Sequence, residues 1–140
     1  MARTQDRFTT SQPNNQQFSD FLPDLTPHPV TGELTRFINE NAINRALKNL
    51  ILTNRGERLF QPAVGSDIYR MLFEPMTGST AELIRGMIER TITTYEPRVK
   101  VIQVVVDPKF DENAYNVQIQ YIVINRQTPV TFNVTLTRVR

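Results

Sequence analysis

The stretch that decides the fold is Tyr95-Glu96-Pro97-Arg98-Val99, where one pattern of apolar residues gives way to another. Up to Tyr95 the apolar residues recur at helical spacing, and from Val99 onward valines and isoleucines follow one another as in a β-strand. Pro97 has a fixed φ angle and no N–H, and it disfavours the helical conformation at Glu96. The sequence therefore predicts a stiff corner that carries one acid and one base. The helical stripe ahead of the corner contains Leu83, Ile84, Met87, Ile88, Thr91 and Ile92.

Length and composition exclude several classes of protein. A chain of 140 residues is long enough for one domain with a core, and the lack of cysteine excludes disulfides and thiolate chemistry. No apolar run approaches the roughly 18–20 residues that span a bilayer, and no secretory signal follows Met1, so we expect no membrane partner. The net charge of +2 is modest and dispersed, and we expect no nucleic-acid partner.

The first 35 residues differ from the rest of the chain. They are polar and hold four of the nine prolines, so this segment cannot bury enough apolar surface to fold alone. We interpret residues 1–35 as an extended arm that orders against the body of the protein or a partner, the alternative being a disordered tail. Pro27–Gly32 predicts a turn within the arm. Residues 36–140 are expected to form a single α+β domain.

Two helices are predicted in the first half of that domain. The first is expected over Glu40–Leu52, with Asn39 or Asn41 as its N-cap. Residues 57–62 are interpreted as a connector. A short second helix is expected over Ser66–Pro75, where the proline ends it. Its apolar side would contain Ile68, Tyr69, Leu72 and Phe73.

The third predicted helix has the clearest start signal. Ser79-Thr80-Ala81-Glu82 fits a capping box, in which Ser79 is the N-cap and Glu82 returns to the backbone of Ser79. The helix is expected to continue to about Thr94, directly ahead of the corner.

Beyond the corner the apolar pattern changes to a period of two, which is typical of strands. Asp107-Pro108 is expected to open the loop after the first strand, and Asn125–Pro129 forms a hairpin-sized loop between the next two. Three strands with short links predict an antiparallel meander covered on one face by the helices, so the fold class is α+β. The apolar parity contains Tyr115, Val117, Ile119, Tyr121 and Val123 in the second strand and Val130, Phe132, Val134 and Leu136 in the third.

Signatures of catalysis are weak in this sequence. His28 is the only histidine and has no carboxylate or serine at a motif spacing, and the glycines form no phosphate loop. A glycosidase-like pair of carboxylates, such as Glu74 and Glu96, is the remaining enzymatic option. Solvated or locally paired charges explain the same residues. We therefore expect no enzyme activity, no cofactor and no metal site.

Two features favour binding to other proteins. The last strand is expected to lie at a sheet edge, whose unpaired backbone groups are a template for strand addition; alternatively, its terminal arginines guard that edge. The corner is the second feature, because an arginine fork can grip a carboxylate or backbone carbonyls, although a Glu96–Arg98 pair could also merely brace the turn. The candidate partner-binding residues are Glu96, Pro97, Arg98, Thr135, Leu136, Thr137 and Arg138.

Several short motifs occur here in a specific order. They are Asn41-Ala42-Ile43, Lys48-Asn49-Leu50-Ile51-Leu52-Thr53, Gly56-Glu57-Arg58, Pro62, Gly65-Ser66, Leu72-Phe73-Glu74-Pro75 and the corner itself, preceded by Asp20-Phe21 and Pro29-Val30-Thr31-Gly32-Glu33-Leu34. Over about residues 18–140 this order resembles the small baseplate-wedge protein family of contractile-tailed phages. Relatives of that family occur in type VI secretion and other contractile injection machines.

The resemblance implies a structural role without catalysis, as a wedge component and initiator of tail-sheath assembly. It implies that Glu96, Pro97 and Arg98 dock on a core bundle of larger wedge subunits. The C-terminal strands would pair with the tail sheath protein, and tail tube or hub proteins are further expected partners. The expected location is the tail baseplate of the virion, reached after assembly in the host cytoplasm. Some family members carry a lysozyme-like label, so a tail-associated glycoside hydrolase is the alternative function.

Overall fold

The structure is a computed structural model that describes residues 18–22, 24–124, 126 and 128–138. Two short strands, three helices and three longer strands follow one another along the chain. Their bounds are Ser19–Phe21 (β1), Arg36–Ile38 (β2), Glu40–Leu52 (α1), Ile68–Met71 (α2), Gly78–Tyr95 (α3), Val99–Lys109 (β3), Ala114–Val123 (β4) and Pro129–Thr137 (β5). β1 pairs with β2, and β3, β4 and β5 form a separate antiparallel sheet in that order. The predicted α+β class, with three helices ahead of a meander, is confirmed.

The core lies between the three-stranded sheet and the helices. β4 is the central strand, so its inner face is buried by cross-strand neighbours as well as by helices. The predicted alternation is confirmed, although Val130 and Phe132 near the start of β5 are only half-buried. The core includes Ile43, Leu47 and Ile51 of α1, Ile84, Ile88 and Ile92 of α3, and Tyr115, Val117, Ile119, Tyr121 and Val123 of β4.

Helix α1 has the predicted bounds, Glu40–Leu52, and Asn39 is its N-cap residue. Asn39 has a φ of 51° and makes no side-chain capping hydrogen bond to the helix. Instead it holds the arm: its N–H donates to the carbonyl of Phe18 at 2.7 Å, and its Oδ1 accepts from the Phe18 N–H at 3.5 Å. The start of α1 and the arm are therefore fixed together.

The predicted capping box of the third helix is wrong by two residues. α3 begins at Gly78, and its N-cap is Thr77, whose Oγ1 accepts a hydrogen bond from the N–H of Thr80 at 3.2 Å. The hydroxyl of Thr80 in turn donates to the carbonyl of Pro75 at 2.8 Å. Thr77 therefore takes the capping role by accepting from the N–H of Thr80, and Glu82 pairs with Arg85 on the helix surface.

The second helix is shorter than predicted, and its apolar side is narrower. Ser66 does not begin α2, because its N–H and hydroxyl donate to the carbonyls of Thr53 and Ile51 at 2.8 and 2.6 Å. Of the four residues predicted on the apolar side, Ile68 and Leu72 are buried. A single helical turn cannot bury two sides, so the other two, Tyr69 and Phe73, remain 43% and 46% exposed.

Strand β3 continues through Asp107 and Pro108, which were predicted to open a loop. A proline is tolerated there because β3 is an edge strand and Pro108 lies at a position whose backbone nitrogen points away from β4. The turn to β4 follows Lys109 instead. A register shift between Val101 and Gln103 adds a bulge nearer the corner.

The arm is described from Phe18 onward, apart from Pro23. β1 and β2 pair over three residues each, and Phe18 packs against the core cluster. The predicted turn at Pro27–Gly32 is confirmed: the N–H of Gly32 donates to the carbonyl of His28 at 2.9 Å. The N–H groups of Val30 and Thr31 donate to His28 Nδ1, so this histidine serves the turn. The predictions for residues 1–17, for Asn125 and Gln127 in the hairpin loop, and for Val139 and Arg140 lie outside the described residues.

Candidate functional site

The corner lies where the sequence places it, between the end of α3 and the start of β3. The N–H of Glu96 still donates to the carbonyl of Ile92 at 2.9 Å, but the φ and ψ of Glu96, −124° and 79°, have left the helical region. The N–H of Val99 then donates back to the carbonyl of Glu96 at 3.4 Å. Pro97 lies exposed between them, and the backbone turns within two residues.

The side chains of Glu96 and Arg98 are paired with each other. Arg98 Nε donates to Glu96 Oε1 at 2.6 Å, and Nη2 donates to Oε2 at 2.7 Å, which is a bidentate fork. This hydrogen bonding raises the pKa of the Arg98 guanidinium above its usual value. Glu96 is only 7% exposed, whereas the side chain of Arg98 is 37% exposed. Glu96 therefore orients Arg98, and the remaining N–H groups of the fork are the ones available to a partner.

Phe18 of the arm covers the other side of Arg98. Its ring centroid lies 5.5 Å from the guanidinium carbon, a cation–π contact. Asp20 on β1 is close enough to raise the pKa of Arg98 further. Sequence reasoning missed this contact, and the only available signal was an aromatic residue within an otherwise polar arm.

A cavity of about 300 Å³ lies beside the corner. Four parts of the chain converge on it: β1, α1, the loop after α1, and the end of α3. The hydroxyl of Tyr95 donates to the carbonyl of Ala63 at 2.6 Å and so ties the loop to the corner. The lining residues are Asp20, Ala46, Asn49, Leu50, Arg58, Gln61, Val64, Tyr95 and Glu96.

The second candidate surface is the free edge of β5. The N–H of Arg138 donates to the carbonyl of Asn113, which continues the β4–β5 register and shows that even-numbered residues of β5 face β4. Because backbone groups alternate in direction along an antiparallel strand, odd-numbered residues present their N–H and C=O groups away from β4. These residues are Thr131, Asn133, Thr135 and Thr137, preceded by Pro129, which has no N–H.

The predicted site residues at the end of β5 have different environments. Thr135 and Thr137 are exposed on this edge, whereas Leu136 is buried in the core. Arg138 lies over the ring of Phe73 at 5.0 Å, and Phe73 meets Tyr69 edge-to-face at 5.4 Å. The exposed aromatic side of α2 therefore adjoins the end of the edge strand.

The corner and the predicted residues at the end of β5 lie at opposite ends of the same sheet. The corner lies at the end of the sheet where β5 begins, and the eight steps from Pro129 to Thr137, at about 3.4 Å each, span about 27 Å. A partner of ordinary size could contact both ends only by lying along the sheet. The two groups of predicted residues therefore form two sites.

Within the part of the chain that the structure describes, no cluster of three or more potential ligands could hold a metal ion. None of the helices in the same part is long and apolar enough to cross a bilayer. Glu74, one of the two acids considered for catalysis, is exposed on the surface. The other, Glu96, has both oxygens occupied by Arg98.

Comparison with known proteins decides the family. The sequence model described as "Baseplate wedge protein gp25" matches residues 39–128. The chain belongs to this family. The baseplate wedge protein gp25 of Enterobacteria phage T4 is 32% identical over 111 residues, which cover 79% of this chain and 83% of that protein. The predicted resemblance to the baseplate-wedge family is thereby confirmed.

Solved structures support the fold. A Geobacter sulfurreducens protein described as a tail lysozyme superposes with a TM-score of 0.65 at 23% identity, covering 70% of this chain and 89% of that one. A chain of the anti-feeding prophage baseplate gives 0.60 at 20% identity, covering 88% and 87%. A chain of the type VI secretion baseplate complex gives 0.55 at 14% identity, covering 68% and 91%. At these identities the likeness shows a shared fold.

Proposed function

We propose that this protein is a structural component of the baseplate wedge of a contractile tail and that it initiates assembly of the tail sheath. Its corner docks on a core bundle of larger wedge subunits, and β5 accepts a strand of the sheath protein. Contacts with tail tube or hub proteins follow from the same position. It would act in the virion, in the baseplate of the tail, after assembly in the host cytoplasm, and without enzymatic activity.

The observation that carries this proposal is the free edge of β5. Four residues there present backbone donors and acceptors that no described strand uses, and their side chains are small and polar. An extended segment can add to such an edge through main-chain hydrogen bonds alone. Leu136 and Val134 anchor the strand in the core, so the edge is held in place before any partner arrives.

A single proline tests strand addition. Thr135→Pro removes one outward N–H while keeping every backbone hydrogen bond to β4, because the backbone groups of Thr135 point away from that strand. The substitution also removes the hydrogen bond from the Thr135 hydroxyl to Asn116 Oδ1 on β4, and the valine control below removes the same bond. Thr135→Val is the matched control, since it keeps the N–H and favours strand conformation. We expect baseplates with Thr135→Pro to nucleate few sheaths in electron micrographs and those with Thr135→Val to nucleate normally. Normal sheaths on the proline variant would refute strand addition at this edge.

This substitution is sharper than a truncation. Deleting residues 135–140 would also remove Leu136 from the core, so loss of sheath could then reflect unfolding. The proline variant separates the two effects, because its fold can be checked by circular dichroism before assembly is tested.

Docking at the corner is supported by the exposed part of Arg98. Two of the five N–H groups of the guanidinium bind Glu96, which leaves others directed outward in fixed geometry. We expect Arg98→Ala to stay folded, which circular dichroism checks at the temperature of the assay, and yet to abolish co-purification with the larger wedge subunits. Arg85→Ala, which removes an exposed arginine of α3, should leave co-purification unchanged. Undiminished co-purification of Arg98→Ala would contradict docking at the corner.

The lysozyme-like alternative gains no support from the site. A glycosidase needs one carboxyl group free to protonate the leaving oxygen and a second nearby. Glu96 is engaged on both oxygens by Arg98, and Glu74 lies exposed elsewhere. Cell-wall hydrolysis that disappears on mutation of one carboxylate would overturn the structural role.

A further inference from the structure

The loop between α1 and α2 displays two large apolar side chains to solvent. Leu59 is 85% exposed and Phe60 is 99% exposed, and Phe60 is the most exposed large apolar residue in the described part of the chain. Single apolar residues on a surface are common, but two adjacent ones with almost no protein contact are a marked patch.

This loop is firmly held at its base. The N–H of Gly56 donates to the carbonyl of Pro62 at 2.8 Å, which closes the tip. Below it, Ser66 is bonded to α1, and Tyr95 holds Ala63. Gly65 allows a close approach, because a Cβ on it would lie 2.7 Å from the carbonyl oxygen of Thr53. Leu59 and Phe60 are therefore presented by an ordered frame, so little conformational entropy remains to be lost on binding.

The backbone of Phe60 is itself unusual. Its φ is 70°, in a region that bulky side chains rarely adopt. Residues held in such conformations are concentrated at functional positions, where the surrounding structure enforces them. Here the enforced conformation leaves a phenylalanine ring outside the protein, where it contributes nothing to the core.

The position of the tip connects it with the corner. Arg58 and Gln61, which flank the two apolar residues, line the cavity beside the corner, and Glu96 lines the same cavity. Leu59 and Phe60 therefore lie between two residues that line the same cavity as Glu96 of the docking corner. A partner that covers both the corner and the cavity would also contact the loop tip formed by Leu59 and Phe60.

Charge indicates the chemistry of that partner. Arg58 is exposed and has no hydrogen bond or ion pair with any residue that the structure describes. Arg98, at the corner beside this cavity, also retains donors that Glu96 does not use. An aromatic anchor beside an exposed arginine is the usual composition of an interaction hot spot, and it fits an apolar pocket bordered by carboxylates.

We infer that Leu59 and Phe60 form a second anchor for the same wedge subunit that docks on the corner, and that they insert into an apolar pocket bordered by acidic residues on that subunit. The inference rests on the proposed docking at the corner. It adds a second contact beside the cavity, so that the wedge subunit is held at two points.

The test uses the full chain and the purified wedge subunits. A double variant, Leu59→Ser with Phe60→Ser, should bind them at least tenfold more weakly, with an unchanged melting temperature because neither side chain packs in the fold. Leu83→Ser, at another exposed leucine on α3, is the matched control and should bind normally. Phe60→Gly should also weaken binding, while the melting temperature stays the same or rises because glycine accepts a positive φ.

Each result has a defined meaning. Normal binding by the double variant, together with loss of binding by Arg98→Ala, overturns the second anchor and leaves docking at the corner intact. Normal binding by both variants overturns both proposals. If light scattering shows that the full chain self-associates and that the serines abolish this without weakening binding to wedge subunits, the tip is a contact between copies of this chain and the inference is wrong.

Discussion

The corner and the free edge of β5 differ in how far their polar groups are paired within the protein. At the corner, Glu96 and Arg98 form a bidentate pair with each other, and the ring of Phe18 packs against the guanidinium of Arg98. Along β5, the backbone groups of the odd-numbered residues have no partner in the described sheet. At the corner, most polar groups are therefore paired within the protein and only some N–H groups of Arg98 are free. Along the edge of β5, a whole row of backbone N–H and C=O groups is unpaired in the described sheet.

This difference predicts that the two surfaces contribute differently to the stability of the isolated protein. Changes at the corner should weaken the isolated protein, because a buried carboxylate depends on its partner there. Changes on the free edge should leave the isolated protein nearly unaltered and act only when a second chain is present. The following predictions test this division, beginning with the largest expected effect.

Arg98→Ala should lower the free energy of unfolding by about 2–3 kcal/mol, because it leaves the buried carboxylate of Glu96 without its two hydrogen bonds. Urea denaturation measures the change. Arg85→Ala is the control: its pairs with Glu82 and Glu89 are exposed on α3, and their loss should cost about 0.5 kcal/mol or less. Equal losses for the two variants would show that the corner pair is no more than a surface ion pair.

Alkaline pH should destabilise the end of the sheet near the corner through Tyr121. Burial raises the pKa of this phenol to about 12, with a further contribution from Glu40, whereas an unfolded chain has a value near 10. The folded state therefore holds its proton more tightly, so the stability is complete below about pH 10 and is lost as pH rises toward 12. We expect a loss of about 2 kcal/mol in this window, and a smaller one in Tyr121→Phe. Parallel pH profiles for the two proteins would exclude Tyr121 as the source.

Two tyrosines of β4 should respond differently to loss of the hydroxyl. The hydroxyl of Tyr121 donates to Asn44 Oδ1 at 2.6 Å, so Tyr121→Phe should cost about 1 kcal/mol at neutral pH. Tyr115, nearer the other end, has a buried hydroxyl without a partner in the described residues, and burial raises its pKa. Tyr115→Phe should be neutral or slightly stabilising, and thermal denaturation distinguishes the two. A substantial loss for Tyr115→Phe would indicate a hydrogen bond at that end as well.

The contact of Phe18 with Arg98 should contribute about 0.5–1 kcal/mol to the stability of the corner. A double-mutant cycle with Phe18→Ala and Arg98→Ala measures this coupling. Phe37 on β2 and Arg45 on α1 supply a matched pair at 5.6 Å that includes no residue of the corner. Their coupling should be of similar size, but only Phe18→Ala should weaken binding to wedge subunits. If neither phenylalanine affects binding, the arm plays no part in docking.

Much of the fold could be predicted from local patterns. The bounds of α1, the parity of β4 and the joint at Pro97 follow from periodicity and from the chemistry of proline, which operate within a few residues. The wrong predictions include the N-cap of α3, for which two neighbouring residues were suitable, and the end of β3, which depends on the order of the strands in the sheet. Thr77 and Ser79 are both plausible caps, and Pro108 is acceptable in a strand only at an edge whose free side it faces.

The sequence predicts where the corner lies in the chain, but only some of the contacts that its side chains make. Glu96 and Arg98 are two residues apart, so their pairing was one of two open alternatives, and burial of the carboxylate decides that the pair is internal. Phe18 and Arg98 are separated by 80 positions, and no spacing rule connects them. The tip at Leu59 and Phe60 was interpreted as a connector, because exposure of an apolar pair can be seen only after the core is assigned.

The bulge and the proline in β3 have a consequence for growth of the sheet. The free side of β3 is bent between Val101 and Gln103 and lacks a donor at Pro108, whereas the free side of β5 is regular from Thr131 to Thr137. Bulges and prolines are the devices by which proteins block an edge against further strands. Further strands can therefore be added to this sheet only at β5. An assembly that grows by adding strands to β5 would have a fixed direction of growth relative to this subunit.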